Sequence, residues 1–210
     1  MRAVFFDVDG VLLHSLFHAD LARRRRWDTH LLEDMGVDPE AFARFFDPSF
    51  GEVIAGRVSL VTALERFLPT VGYRGTPLDF IAYWLSRDTH VNHQLLALIT
   101  RLRATGPLRL YLATNQEHLR AFHLWNTVGL RHSFDDIFYA ARLGVAKPEP
   151  AFFEAVDGAI GPQPVPPLFF DDSPRVVDAA NRHGWEAVLF SEIGDCAEHP
   201  WICDRLAALG

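Results

Sequence analysis

Cysteine is almost absent from this chain of 210 residues: Cys196 and Cys203 are the only two. That excludes a disulfide-stapled scaffold, and Pro200 between them works against a bridge of the required Cα spacing. Two free thiols fit a reducing compartment. Long apolar runs are missing as well. No uncharged stretch approaches the roughly 20 residues that span a bilayer. Asp7 and Asp9 interrupt the N-terminal apolar run that a signal peptide would need. A soluble, cytoplasmic protein with no membrane partner is expected. Basic charge is in deficit: 20 Lys and Arg stand against 27 Asp and Glu, for a net charge of −7. A nucleic-acid partner is not expected, since such surfaces need a basic face. A local lysine, arginine or metal can still serve an anionic substrate. No interface pattern stands out, so the sequence sets no oligomeric state.

What the chain does have is hydrophobic mass, 49% of its residues, enough for a core plus an insertion. Ala3 to Phe6 is short, apolar and bounded by Asp and Gly, which predicts a buried strand. The next seventy residues change period. Leu16, Ala19, Leu21 and Ala22, then Leu31, Leu32 and Met35, recur at helical spacing. Asp38-Pro39 predicts a capped helix start, Ser59 caps a helix over 60–67, and Thr76-Pro77 opens another. From His93 the chain alternates: helix 93–104, strand 108–113, helix 117–128, strand 137–140, helix 150–159, strand 168–170, helix 176–183, strand 187–190. Strand–helix alternation predicts βαβ units. The fold class is therefore α/β: a Rossmann-like parallel sheet with helices on both faces, built from 1–14 and 88–210. An all-helical cap over 15–87 is inserted after the first strand. The cap aromatics Phe42, Phe45, Phe46 and Trp84 are expected to be packing residues.

The chemistry collects where strands end. Asp7 and Asp9 follow the first strand, and Asp171 and Asp172 follow a later one. Thr114 and Asn115 follow the strand over 108–113, where they are expected to open a helix. Lys147 lies in the loop after the third strand. In parallel sheets ligands bind beyond the carboxyl ends of the strands. Four carboxylates crowded there repel one another unless a cation or a raised pKa relieves them, and a hard divalent ion such as Mg²⁺ prefers oxygen ligands and phosphate partners. Phosphoryl transfer uses every one of these groups. One carboxylate serves as covalent nucleophile, and a second, two residues on, as acid and then base. Thr114, Asn115 and Lys147 neutralise and hold the phosphoryl oxygens. His14 and His18, just after the first strand, and Arg57 in the cap are candidates to face the substrate.

Taken in order, Asp7-Val8-Asp9-Gly10-Val11, Ala113-Thr114-Asn115, Lys147-Pro148 and Asp171-Asp172-Ser173 resemble the four motifs of the haloacid dehalogenase superfamily. The helical insertion resembles that superfamily's small cap. The segments Thr114-Asn115-Gln116-Glu117 and Gly56-Arg57-Val58-Ser59 resemble its branch of sugar-phosphate phosphatases and epoxide-hydrolase phosphatase domains. The resemblance implies that Asp7 becomes an aspartyl-phosphate and that Asp9 protonates the leaving oxygen and later activates water. It also implies that Asp7, the Asp9 carbonyl and Asp172 ligate Mg²⁺, with Asp171 a further ligand or an orienting group. The expected activity is Mg²⁺-dependent hydrolysis of a small phosphorylated metabolite, for example a sugar phosphate. A phosphomutase, a haloacid dehalogenase and a non-catalytic metabolite-binding relative are the alternatives. Asp9 argues against the dehalogenase, because a halide leaves without a proton. It argues equally against a pure binder, which has no use for an acid at that position.

Overall fold

A computed structural model describes residues 1–14, 24–47 and 49–208. Among them are five strands: β1 (Ala3–Phe6), β2 (Arg109–Thr114), β3 (Asp136–Tyr139), β4 (Leu168–Asp171) and β5 (Glu186–Leu189). They form one sheet of order β3-β2-β1-β4-β5 with every pairing parallel. The β1–β2 connection carries α1 (Leu31–Met35), α2 (Pro39–Ala43), α3 (Phe50–Ile54), α4 (Leu60–Phe67), α5 (Pro77–Arg87) and α6 (His93–Ala104). Between β2 and β4 lie α7 (His118–Phe122), α8 (Ala140–Leu143) and α9 (Pro150–Ile160). Helix α10 (Pro174–His183) joins β4 to β5, and α11 (Ile193–Ala197) and α12 (Pro200–Ala207) follow.

The central strands β1 and β4 are buried along their whole length because both sheet faces are covered. Side chains alternate across a strand, so Val4 and Phe6 enter one layer with Leu110, Leu112 and Phe170, which α6 and α12 close with Leu95, Ile99 and Ile202. Ala3 and Phe5 enter the opposite layer with Phe138 and Phe169, closed by Phe152 and Phe153 of α9 and Ala180 of α10. The helices between β1 and α6 gather around a third cluster of their own, centred on Trp27, Leu31, Phe42, Leu64 and Phe80. These helices start where their caps say. Asp38 accepts from the Glu40 amide, Ser59 from Thr62 and Thr76 from Asp79, each at 3.0–3.1 Å.

The element expected over 117–128 begins as α7 and widens after Phe122 into a π turn, His123–Thr127. The expected helix with Leu16 to Ala22, and His18 with it, lie outside the described residues. No helix among the described residues is long and apolar enough to cross a membrane.

Register places the strand ends together. Phe6 of β1 lies beside Leu112 of β2 on one side and Phe170 of β4 on the other. The next residue, Asp7, donates its amide to the Phe170 carbonyl at 2.9 Å. Chain order reverses between β1 and β4, and such a reversal opens a crevice at the carboxyl edge.

Candidate active site

Asp7, Asp171 and Lys147 form the floor of that crevice. The Lys147 ammonium donates to Asp171 Oδ2 at 2.6 Å and to the Ala113 carbonyl at 2.8 Å, and it lies 3.0 Å from Asp7 Oδ1. All three residues are buried, Asp171 completely. The second Asp171 oxygen accepts from the Ser173 amide, and Asp7 Oδ1 also accepts from the Val8 amide. Asp172 completes the cluster: one oxygen from each of Asp7, Asp171 and Asp172 lies within 4.8 Å of the others. Gly10 makes room for it. With φ at +80°, a Cβ there would sit 1.9 Å from Asp172 Oδ2, so glycine is demanded both by backbone and by space.

One ammonium cannot balance three carboxylates. Burial pushes the Asp7 carboxyl up to about 8; Lys147 opposes this, and the neighbouring Asp171 and Asp172 add to it. Burial, then Asp171, pushes Asp172 up to about 6. Lys147 is pushed up despite its burial by Asp171 and Asp7, so it stays charged. Oxygen-only donors with surplus negative charge suit a hard divalent cation. These shifts set the sign of a pH effect. Below about pH 4 folded and unfolded carboxyls are both protonated. Between about 4 and 8 the unfolded chain releases its protons first, so the metal-free fold loses stability as pH rises. Thermal melts in chelator should therefore show Tm falling from pH 5 to pH 8; a Tm that is flat or rising there contradicts this electrostatic account.

Asp9 sits apart from this floor. Arg120 grips both of its oxygens, at 2.7 and 2.8 Å, and the Gln116 amide adds a bond at 2.6 Å. Burial opposes ionisation of Asp9, but Arg120 and Gln116 prevail and hold its carboxyl below the ordinary value. The same guanidinium lies 3.0 Å from Asp88, which follows α5 and also accepts from the Trp84 indole. Burial pushes Asp88 up to about 6 against the pull of Arg120.

Thr114 ends β2 and is buried, with its hydroxyl 3.3 Å from the Gln116 amide. Asn115 is committed elsewhere: its amide donates to the Lys147 carbonyl and its oxygen accepts from the Lys147 amide. It clamps the lysine loop. Neither residue opens a helix. The Glu117 carboxylate accepts from the Leu119 and Arg120 amides and starts α7 at His118, one residue from the start expected for the helix over 117–128. Of the remaining candidates, Arg57 is exposed, pairs with Glu52 at 2.7 Å and reaches the Gly144 carbonyl at 3.5 Å. Beside it a Cβ on Gly56 (φ +73°) would lie 2.9 Å from the Ala141 carbonyl. This segment is a tight contact between the helical insertion and the sheet domain, outside the crevice. His14 faces a different depression with Asn92 and His93.

The crevice widens into a cavity of about 510 Å³ bounded by the carboxylates, Lys147 and Thr114 on one side and by Trp27, Phe46 and Trp84 on the other. Phe42 and Phe45 are core residues as expected. Phe46 and Trp84 do more than pack, since both also line this cavity. Sequence reasoning missed Arg120, Gln116 and Asp88. Helical periodicity did not mark them, since Gln116 precedes the Glu117 cap of α7 and Asp88 follows α5.

A curated relative, the phosphoglycolate phosphatase of Rhodospirillum rubrum, is 29% identical over 205 residues, covering 90% of this chain and 79% of the relative. A haloacid dehalogenase (HAD) family enzyme of Bacteroides thetaiotaomicron, solved as a magnesium complex, superposes with a TM-score of 0.72 at 21% identity. The match covers 90% of this chain and 93% of that one. An HAD-like hydrolase of Porphyromonas gingivalis gives 0.71 at 21% identity, covering 100% and 98%. The sequence profile of haloacid dehalogenase-like hydrolases matches residues 1–184, and the chain belongs to that family.

Proposed function

We propose that this hydrolase is a Mg²⁺-dependent phosphatase that removes phosphate from a small phosphorylated metabolite through an aspartyl-phosphate on Asp7. The observation that carries the reading is the single buried ammonium shared by Asp7 and Asp171 at the floor of an open cavity. It holds a carboxylate nucleophile in place, with positive charge where phosphoryl oxygens gather. The phosphatase name of the R. rubrum relative supports it. Asp7 Oδ1 is occupied by Val8 and Lys147, which leaves Oδ2 for attack on phosphorus.

In the first step the bond from Asp7 to phosphorus forms as the bond to the leaving oxygen breaks. That oxygen takes its proton from Asp9. In the second step water attacks phosphorus, its proton passes to Asp9, and the bond to Asp7 breaks to release inorganic phosphate. The carboxylate form of Asp9, gripped by Arg120, is ready for the second step. A phosphoryl dianion in the cavity raises its proton affinity for the first. Thr114 and Lys147 bind the phosphoryl oxygens, while Asn115 keeps the Lys147 loop in register. When bound, Mg²⁺ neutralises charge on the phosphoryl group and orients it for in-line attack. Asp7, Asp172 and the Asp9 carbonyl would hold it. Asp171 has both oxygens engaged, by Lys147 and the Ser173 amide, and acts as an orienting group. The reading places the enzyme in the cytoplasm, where Cys196 and Cys203 stay reduced.

The test is release of inorganic phosphate from 4-nitrophenyl phosphate. Chelation is expected to lower the rate by about 100-fold or more, and added Mg²⁺ to restore it. Full activity in chelator overturns the metal-dependent mechanism.

A further inference from the structure

We infer that the leaving group this enzyme accepts is apolar and ring-sized, rather than a sugar or a short hydroxy acid. The inference rests on the phosphatase reading and concerns the other half of the same cavity. Among the described residues, everything the helical insertion contributes to the cavity wall is apolar. Four of these side chains are aromatic: Trp27, Phe46, Phe50 and Trp84. The others are Ile54, Leu60 and Leu85.

The rings form a continuous surface. Trp27 and Trp84 stack at 5.3 Å, Phe46 meets Trp84 edge-on at 5.6 Å, and Phe46 meets Phe50 edge-on at 5.1 Å. Such faces and edges accept another ring in stacked or edge-on contact. Ile54 is half-buried yet belongs to no apolar core cluster of the described residues, so the cavity is what it serves.

Polar groups near this wall are already matched. The Trp84 indole N–H bonds Asp88, Asp88 pairs with Arg120, and Arg57 is paired with Glu52 outside the cavity. Ser173 and Arg175 line the cavity from the start of α10, next to Asp172 in the chain, and are not part of the insertion's wall. Sugar hydroxyls or a glycolate carboxylate placed against the insertion would lose water without gaining partners. An apolar ring placed there loses nothing and is removed from water. The volume, about 510 Å³, is that of a pocket for a ring-bearing ligand. By this inference the chain parts company with the phosphoglycolate named for its R. rubrum relative.

The test compares esters with equally reactive primary alkoxide leaving groups: benzyl phosphate and cyclohexylmethyl phosphate against glucose 6-phosphate, with phosphoglycolate alongside, all in Mg²⁺. The expected result is kcat/KM at least about 100-fold higher for the two apolar esters. Ile54→Asn should cut that preference by about tenfold, because it places an amide on the apolar wall. Equal or faster turnover of glucose 6-phosphate or phosphoglycolate overturns the inference and leaves the phosphatase reading standing. If folded protein hydrolyses none of the four, the phosphatase reading fails instead, and the wall is judged by ligand binding. Trp27 and Trp84 then report on the cavity through their fluorescence. Quenching by benzylphosphonate at concentrations where glucose 6-phosphate has no effect supports the apolar subsite; no quenching by benzylphosphonate overturns it.

Discussion

Asp7→Asn should yield a folded protein that is more stable than the wild type and at least about 10⁴-fold slower. The two halves of that result have one cause. Asparagine keeps the shape of the side chain and an oxygen that can accept from the Val8 amide and from Lys147. It removes the oxygen pair that attacks phosphorus, and no nearby group replaces it, because Asp171 is fully buried behind Lys147 and Asp9 is held by Arg120. It also removes a charge that burial makes costly, the reason the Asp7 carboxyl is pushed up to about 8. The stability gain should therefore be largest at pH 8 in chelator and vanish near pH 4, where Asp7 is protonated in both states. Phosphate release and thermal melts on the same preparations check both. A variant that retains more than about a hundredth of wild-type turnover removes Asp7 as nucleophile.

Lys147→Met should be the most damaging single change to the fold within the site. The ammonium is the only cation in contact with Asp171 among the described contacts, and it also binds the Ala113 carbonyl. Methionine fills a similar volume but leaves two buried carboxylates without a counter-charge. Removing one partner of a buried ion pair costs about 3–5 kcal/mol, which for a chain of this size lowers Tm by roughly 10 °C. The cost should shrink as pH falls, because Asp7, whose carboxyl burial already pushes up, can then be protonated rather than left as an unpaired anion. Turnover should fall about 10³-fold as the positive charge facing the phosphoryl group disappears. A Tm within a degree or so of wild type at pH 8 would show that water, not Lys147, balances these carboxylates.

Much of the fold and of this site was legible because the signals are local. The apolar run Ala3–Phe6 is read directly as β1, Ser59 caps α4 as expected, and α6 spans the expected residues 93–104. Asp7, Asp171, Asp172 and Lys147 converge because a parallel register must bring strand ends to one edge. What stayed hidden depends on partners far along the chain. The Asp9–Arg120 bond spans 111 residues, and helical periodicity places Arg120 on a face without saying what that face meets. Asn115 offers the same lesson: its amide can bind phosphate or backbone, and only the packing of the Lys147 loop decides. The start of α7 turns on Glu117, whose carboxylate accepts the first helix amides, and not on Thr114 or Asn115. Arg57 pairs with Glu52, five residues before it, and does not line the cavity.

Arg120 has a consequence that reaches beyond chemistry. Its guanidinium binds Asp9, the proton-transfer residue of the proposed reaction, and Asp88, at the point where the helical insertion rejoins the sheet domain. Three positions scattered along the sequence are thus physically interdependent. A change of charge at 88 alters the grip on Asp9 without touching it, and a new residue at 120 must satisfy both carboxylates at once. A substitution at the junction is therefore also a substitution in the surroundings of the proposed proton-transfer group. The wall residues of the insertion carry no such tie to Asp9, whereas its root at Asp88 does.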